Sequence, residues 1–277
     1  MIINNRTNYG GGGVQGFHAS PQIKGNIISG NHAETYGGGV FLYFEGYGLV
    51  ERNIITGNTC NYGGGVCIQT SRGVRLINNT IANNIANDWA GGIYSATFSY
   101  PLLINNIVWG NTASLHTSLF CASDDSLNIS YSDIEGGWEG EGNIDMNPLF
   151  ADTANGDFSL TWVNFPVQDS TKSPCIDTGH PEPALLDPDS TRCDMGAVYF
   201  HQNLVPIAGL TIALINDDVV LTWESIPGAV EYGIFESDSP YFEPSGNPLM
   251  VVTAPDTTAT IYNVTGEMKY YRVISRR

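Results

Sequence analysis

The pattern most open to chemistry in this chain is an aromatic side chain set against a run of glycines. Tyr9 precedes Gly10 to Gly13, Tyr36 precedes Gly37 to Gly39, Tyr62 precedes Gly63 to Gly65, and Trp89 stands one residue ahead of Gly91 and Gly92. Rings repeated at one position can stack on each other and fix register. Left exposed beside a face without side chains, the same rings offer a platform on which sugar rings stack. Tyr9, Tyr36, Tyr62 and Trp89 are therefore candidate ligand-binding residues. Trp138, in the acidic stretch Glu135 to Glu141, is a fifth.

A second group is acidic. Asp187, Asp189 and Asp194 alternate along Asp-Pro-Asp-Ser-Thr-Arg-Cys-Asp. Carboxylates spaced on a turn present the oxygen ligands calcium prefers, although the glycine and distal glutamate of an EF-hand loop are missing. The competing role is turn capping through backbone amides. Calcium is the only cofactor the sequence suggests. The five histidines show no metal-ligand spacing, and the five cysteines contain no Cys-x-x-Cys pair. Cys175 and Cys193 flank the acidic loop and are the pair available for a disulfide, although spacing alone does not fix connectivity.

What must position these residues is a repeat. Asn26-Ile27-Ile28-Ser29-Gly30-Asn31 returns at Asn53, Asn79 and Asn106, at intervals of 27, 26 and 27 residues. Met1 to Asn5 fits one period earlier, so the expectation is that further coils of the same parent chain lie upstream. The apolar pieces are short, alternating and β-branched, and Asn and Gly separate them, which are strand and turn signals. The period suits one coil of a parallel β-helix with three short strands per turn, each coil about 4.8 Å above the last. Ile28, Ile55, Ile81 and Val108 then form an inward ladder, and Ala33, Cys60, Ala86 and Ala113 a tighter one. Asn31, Asn58, Asn84 and Asn111 form an asparagine ladder, as do Asn26, Asn53, Asn79 and Asn106.

On these motifs residues 1–201 resemble the right-handed parallel β-helix repeat proteins of bacterial surfaces. The blocks Asn147-Pro148-Leu149-Phe150, Ser173-Pro174-Cys175-Ile176-Asp177 and Asp194-Met195-Gly196-Ala197 resemble the family's closing segment. The resemblance implies coils over 1–113 and a closing cap over 114–201. The fold hosts adhesins, polysaccharide lyases and glycoside hydrolases, so it does not choose among functions. A lyase needs clustered carboxylates for calcium and a basic side chain. A glycosidase needs two carboxyl groups about 5–10 Å apart. Residues 1–106 hold only Glu34, Glu45, Glu51 and Asp88 as acids, and these do not cluster at one ladder position beside Arg52, Arg72 or Arg75. No residue is assigned a catalytic role.

From residue 202 the repeat gives way to alternating segments at sandwich-like spacing. Val220-Leu221-Thr222-Trp223, Pro227-Gly228-Ala229, Tyr232 to Ser237 and Tyr270 to Ile274 resemble a fibronectin type III domain, with Trp223 and Tyr232 in its core. The fold class read here is all-β: a right-handed parallel β-helix followed by a small fibronectin type III-like sandwich over 202–277.

Charge narrows the partners. The net charge is −17, and 24 of the 28 acidic residues lie beyond residue 106. Nucleic acid and anionic membrane surfaces are disfavoured because both need a basic face. No apolar run is long enough for a membrane helix. The expectation is an extracellular or cell-surface protein that binds a polysaccharide or surface glycan or adheres to a partner, non-catalytic as it stands. A polysaccharide-degrading enzyme, or its accessory part, is the first alternative, and a structural stalk the second.

Overall fold

The computed structural model describes residues 1–277 apart from 45, 123–125, 164, 166–167, 183–185, 190, 203–206, 208, 227–228, 230, 240–247, 263–268 and 277. The expected change of pattern at Asn203 to Pro206, and the Pro227-Gly228 turn, lie outside the described residues. The chain divides into two units. One is Met1–Thr161 with Ser173–Phe200, the other Trp162–Lys172 with His201–Arg277. No break in the sequence pattern marks the excursion of Trp162–Lys172 into the second unit.

The first unit is a parallel β-solenoid of about five turns. Each of the first four coils has four strands, not three. One coil runs Ile27–Ser29, His32–Ala33, Val40–Tyr43 and Leu49–Glu51, and the next Ile54–Thr56, Thr59–Tyr62, Val66–Gln69 and Arg75–Ile77. The extra corner comes from glycines of positive φ, Gly30 at 65° and Gly57 at 63°, each followed by a buried asparagine. That corner splits what reads in sequence as one segment.

Strands of successive coils pair in parallel, giving four sheets of six, four, five and five strands. In the first sheet Ile2, Ile28, Ile55, Ile81, Val108 and Ile134 stand in register. The ladder expected from four residues therefore has six. In the second, Ala33, Cys60 and Ala86 are buried, while Ala113 is half-buried. The strand Val40–Tyr43 shows the alternation that matters below. Val40 and Leu42 join the interior cluster, while Phe41 and Tyr43 point the other way.

Both asparagine ladders form. Asn31 Nδ2 donates to Asn58 Oδ1, Asn58 Nδ2 to Asn84 Oδ1, and Asn84 Nδ2 to Asn111 Oδ1, at 2.9, 2.9 and 3.0 Å. The other ladder ends on a substitute: the Asn106 backbone amide donates to Ser132 Oγ, and the Ser132 amide to Asn143 Oδ1. The glycine runs lie between coils with almost no room. A Cβ on Gly38 would stand 2.6 Å from the Gly64 carbonyl oxygen, and one on Gly64 2.5 Å from that of Gly91.

The solenoid continues past residue 113. Leu119–Cys121, Asn128–Ser130 and Asp133–Ile134 each extend a sheet. Its end is covered by the segment after Ile134, where Ile144 bridges Asp133 and Trp138 packs on the interior cluster. The segment Ser173–Phe200 is not an end cap. It lies along the corner between the fourth and first sheets. Asn78 Nδ2 donates to the Asp194 carbonyl (3.0 Å), the His180 amide to Asn105 Oδ1 (2.7 Å), and the Gly196 amide to the Asn105 carbonyl (2.7 Å). Arg52, Asn78 and Asn105 occupy this corner in successive coils with φ of 52°, 52° and 57°.

The second unit carries two three-stranded antiparallel sheets. One has Thr211–Ile215, Asp218–Thr222 and Thr258–Ile261; the other Met250–Thr253, Glu231–Ser237 and Tyr270–Arg276. Val219, Leu221 and Ala259 from the first share one cluster with Tyr232, Ile234 and Val273 from the second, as a β-sandwich requires. Trp223 and Tyr232 are buried in it with ring centroids 5.2 Å apart.

Candidate functional site

The aromatic residues meet on the outer side of the third sheet and at its corner with the second. Tyr9 and Tyr36 contact at 6.0 Å and Tyr36 and Tyr62 at 5.4 Å between centroids. Trp89 pairs with Tyr62 in the backbone register, but its ring turns to His116 at 5.3 Å and Phe120 at 4.6 Å. The register shifts here because Ile85–Trp89 has one residue more than Thr59–Tyr62. Tyr62 turns to Tyr94, 5.6 Å away. The four expected rings are thus not one axial stack.

The rings also do not border an exposed glycine face. Gly37 to Gly39, Gly63 to Gly65, Gly91 and Gly92 are buried. The rings instead cover outward-pointing side chains of the third sheet. Phe41 is 0% exposed because Tyr36 and Tyr43 stack on it at 5.5 and 5.3 Å, with Tyr9 at its edge. Part of the aromatic surface is therefore structural, closing a seam outside the main core. The remainder faces outward: Tyr9 is 51% and Phe17 54% exposed, and Tyr36, Tyr43, Phe44, Tyr62, Trp89, Tyr94 and Phe120 are half-buried.

Motif reading missed Phe17, Phe41, Tyr43, Tyr94 and Phe120. A signal was there. In Val40-Phe41-Leu42-Tyr43, Ile93-Tyr94 and Leu119-Phe120 the aromatic always follows the inward aliphatic, which directs it outward in a strand.

Polar groups of the second sheet adjoin the rings. Arg6 Nη2 donates to Glu34 Oε1 at 2.8 Å, His32 Nε2 lies 3.4 Å from the same oxygen, and His32 Nδ1 is 2.8 Å from Thr59 Oγ1. Asn87 Nδ2 donates to Asn61 Oδ1 at 2.8 Å. The hydrogen bond from Arg6, then that from His32, holds the Glu34 carboxyl below its ordinary range. Burial or like charge, which would make it a proton donor near neutrality, does not dominate. The Asp88 charge raises the Tyr62 phenol, and the two side chains are hydrogen-bonded. Glu34 and Asp88 lie two coils apart, or about 10 Å at the spacing of paired strands. Neither is placed as an acid opposite a nucleophile.

The other expected residues lie apart from this face. Trp138 belongs to the cover on the solenoid's end. Asp187, Asp189 and Asp194 do not surround a common point. Asp187 Oδ2 accepts from the Asp194 amide, Asp189 Oδ1 from the Thr191 amide and hydroxyl, and Asp194 from the amides of Asp177 and Phe200. Among the described residues no group of three or more His, Cys, Asp or Glu is arranged to hold a metal ion. Turn capping accounts for the carboxylates. Asp187 Oδ1 accepts no hydrogen bond and faces Arg52 Nη2 at 3.9 Å.

The Cys175–Cys193 disulfide is not formed; both thiols are free and buried. Cys175 Sγ donates to Asp133 Oδ2 at 3.2 Å, while Cys193 Sγ accepts from Asn78 Nδ2 and Asn105 Nδ2 at 3.2 and 3.3 Å. Each thiol is held by a different partner on the solenoid. Burial pushes Cys193 up to about 11 and Cys60 up to about 12, and raises Cys175 and Cys67 well above the usual thiol value.

A family model described as right handed beta helix region matches residues 1–118. Together with the parallel solenoid, that match supports a right-handed β-helix repeat in the first unit. Such proteins are often linked to polysaccharide-related or surface functions. No curated protein and no solved structure matches the chain. The matched region ends inside the solenoid, whose strands continue to Ile134.

Proposed function

We propose that the β-helix unit is a non-catalytic glycan-binding module, working outside the cell or at a bacterial cell surface, with the C-terminal sandwich as a fibronectin type III-like spacer. The observation that carries this reading is the set of outward rings on the third sheet beside the amide and hydroxyl groups of the second. Ring faces meet the C–H faces of sugars, and Asn61, Asn87, Thr59 and His32 offer donors and acceptors for hydroxyls. The nearby carboxylates favour binding over cleavage, because Glu34 is held ionised by Arg6 and His32.

The test is affinity electrophoresis of the full chain through neutral and acidic plant, algal and bacterial polysaccharides, with the recovered polymer sized. Retardation without shortening, reduced by Tyr9→Ala, is expected. Shortened polymer would replace this reading with the lyase or hydrolase one. Free migration through every polymer would leave the adhesive or stalk reading.

A further inference from the structure

The rings fall into two clusters. The first lies on the coils of Val14–Phe17 and Val40–Tyr43, and beyond Tyr9 and Tyr36 it extends across the sheet to the opposite corner. There Phe17 meets Tyr43 at 5.5 Å and Phe44 at 5.8 Å, and His18 meets Phe44 at 5.1 Å. The second lies on the coils of Ile93–Ala96 and Leu119–Cys121, where Tyr94 stacks on Phe120 at 5.2 Å and Trp89 on His116 at 5.3 Å. Between them, on the coil of Val66–Gln69, the outward positions are Cys67 and Gln69, and Tyr62 contacts both sides. The path from Phe17 to Phe120 thus crosses the third sheet diagonally and does not follow the solenoid axis.

From this geometry we infer that the two clusters are separate subsites for one extended, uncharged polysaccharide whose chain lies diagonally across the third sheet. The inference rests on the glycan-binding reading and deepens it. A sheet face is flat, so it suits a ribbon-like chain of equatorially linked sugars whose broad faces carry C–H bonds. The polymer is uncharged because the rings contain no lysine or arginine among them. Arg6 on the adjoining face is committed to Glu34, and the net charge of −17 repels polyanions. Binding is along the chain, since the path is open at both corners, where Phe17 is exposed at one end and His116 at the other.

Two subsites joined by one ligand behave as a bivalent pair, so affinity rises sharply once the chain reaches both. The experiment is calorimetric titration of the full chain with cello-oligosaccharides of increasing length and with soluble β-linked glucan. A step of about 100-fold or more between chains that fill one cluster and chains that reach both is expected. Phe17→Ala and His116→Ala change exposed side chains, and a melting curve of each variant checks that the solenoid stays folded. Each should remove most of the step by disabling its own cluster, with short-chain binding retained at the other cluster. Affinity independent of length, or insensitivity to either variant, overturns the two-subsite inference while glycan binding stands. Binding of polyuronates in preference to the glucan overturns the uncharged class. Absence of retardation on every polymer in the electrophoretic panel removes the underlying reading instead.

Discussion

The backbone amide of Asn58 and its side-chain Nδ2 both donate to Asn84 Oδ1, at 3.0 and 2.9 Å, while Asn84 Nδ2 donates to the carbonyls of Ile55 and Ala82. With Asn111 Oδ1, which also accepts from Asn84 Nδ2, one fully buried side chain pairs five polar groups at a corner where the strand ladder is interrupted. Replacing Asn84 by Ala leaves several of them buried without partners. A loss of about 3 kcal/mol is expected from urea denaturation, at the upper end for unsatisfied buried groups. Asn106→Ser should cost clearly less than Asn106→Ala, because Ser132 already accepts the equivalent amide in the next coil. Equal losses would show that the ladder is packing alone.

Glycines at two kinds of position should separate cleanly. A Cβ on Gly64 meets the Gly91 carbonyl at 2.5 Å and the Ile85 backbone at 2.8 Å, neither of which can move without parting the coils. Gly64→Ala should leave little folded protein at 37 °C. Gly25 has a positive φ but open space around its missing Cβ. Gly25→Ala should cost only about 1–2 kcal/mol, the ordinary penalty for a side chain in the left-handed region. Melting curves of the two variants decide it.

Acid should stabilise the β-helix unit. Burial, aided by the charges of Asp145 and Glu135, raises Asp133 to about 7, and burial, aided by Asp187 and Asp177, raises Asp194 to about 7. Both folded values stand above the ordinary 3.8, so the folded chain holds more protons than the unfolded one between those limits. Stability is therefore greatest at the acid end of the window and falls as pH rises toward 7, by at most about 1.4 kcal/mol per pH unit for each group. Urea midpoints at pH 5 and pH 8 measure this. Asp133→Asn should remove about half of the difference, leaving the part due to Asp194, and a higher midpoint at pH 8 in the parent chain would contradict acid stabilisation.

The cysteines should be unreactive and unpaired. Alkylation of the native chain at pH 8 should reach only half-buried Cys121, while urea should expose all five thiols without prior reduction. A reductant should not shift the melting temperature. Three thiols in place of five before reduction would restore the disulfide.

Asn105 holds the flanking segment by accepting the His180 amide on its side chain and the Gly196 amide on its carbonyl. Asn105→Ala should raise hydrogen exchange of residues 177–197 by tenfold or more, with exchange over Ile27–Ser29 and Ile54–Thr56 unchanged. Uniform acceleration in both regions would mean that the segment does not open separately.

The repeat by itself determined the solenoid, the inward ladder from Ile28 to Val108 and both asparagine ladders. A 26 to 27 residue period forces equivalent residues into register, and register makes ladders out of residue types. It also fixed the reason for the glycine runs, since only a residue without Cβ lets coils approach that closely. Tertiary structure alone decided what the outward residues do. Whether a ring is buried, bridging or exposed depends on neighbours from other coils, and one added residue in Ile85–Trp89 was enough to turn Trp89 away from Tyr62. The acidic loop and the two cysteines were equally beyond a local reading. Their partners, Asn78, Asn105, Arg52 and Asp133, lie between about 40 and 140 residues away in sequence and meet them only because the flanking segment folds back along the solenoid corner.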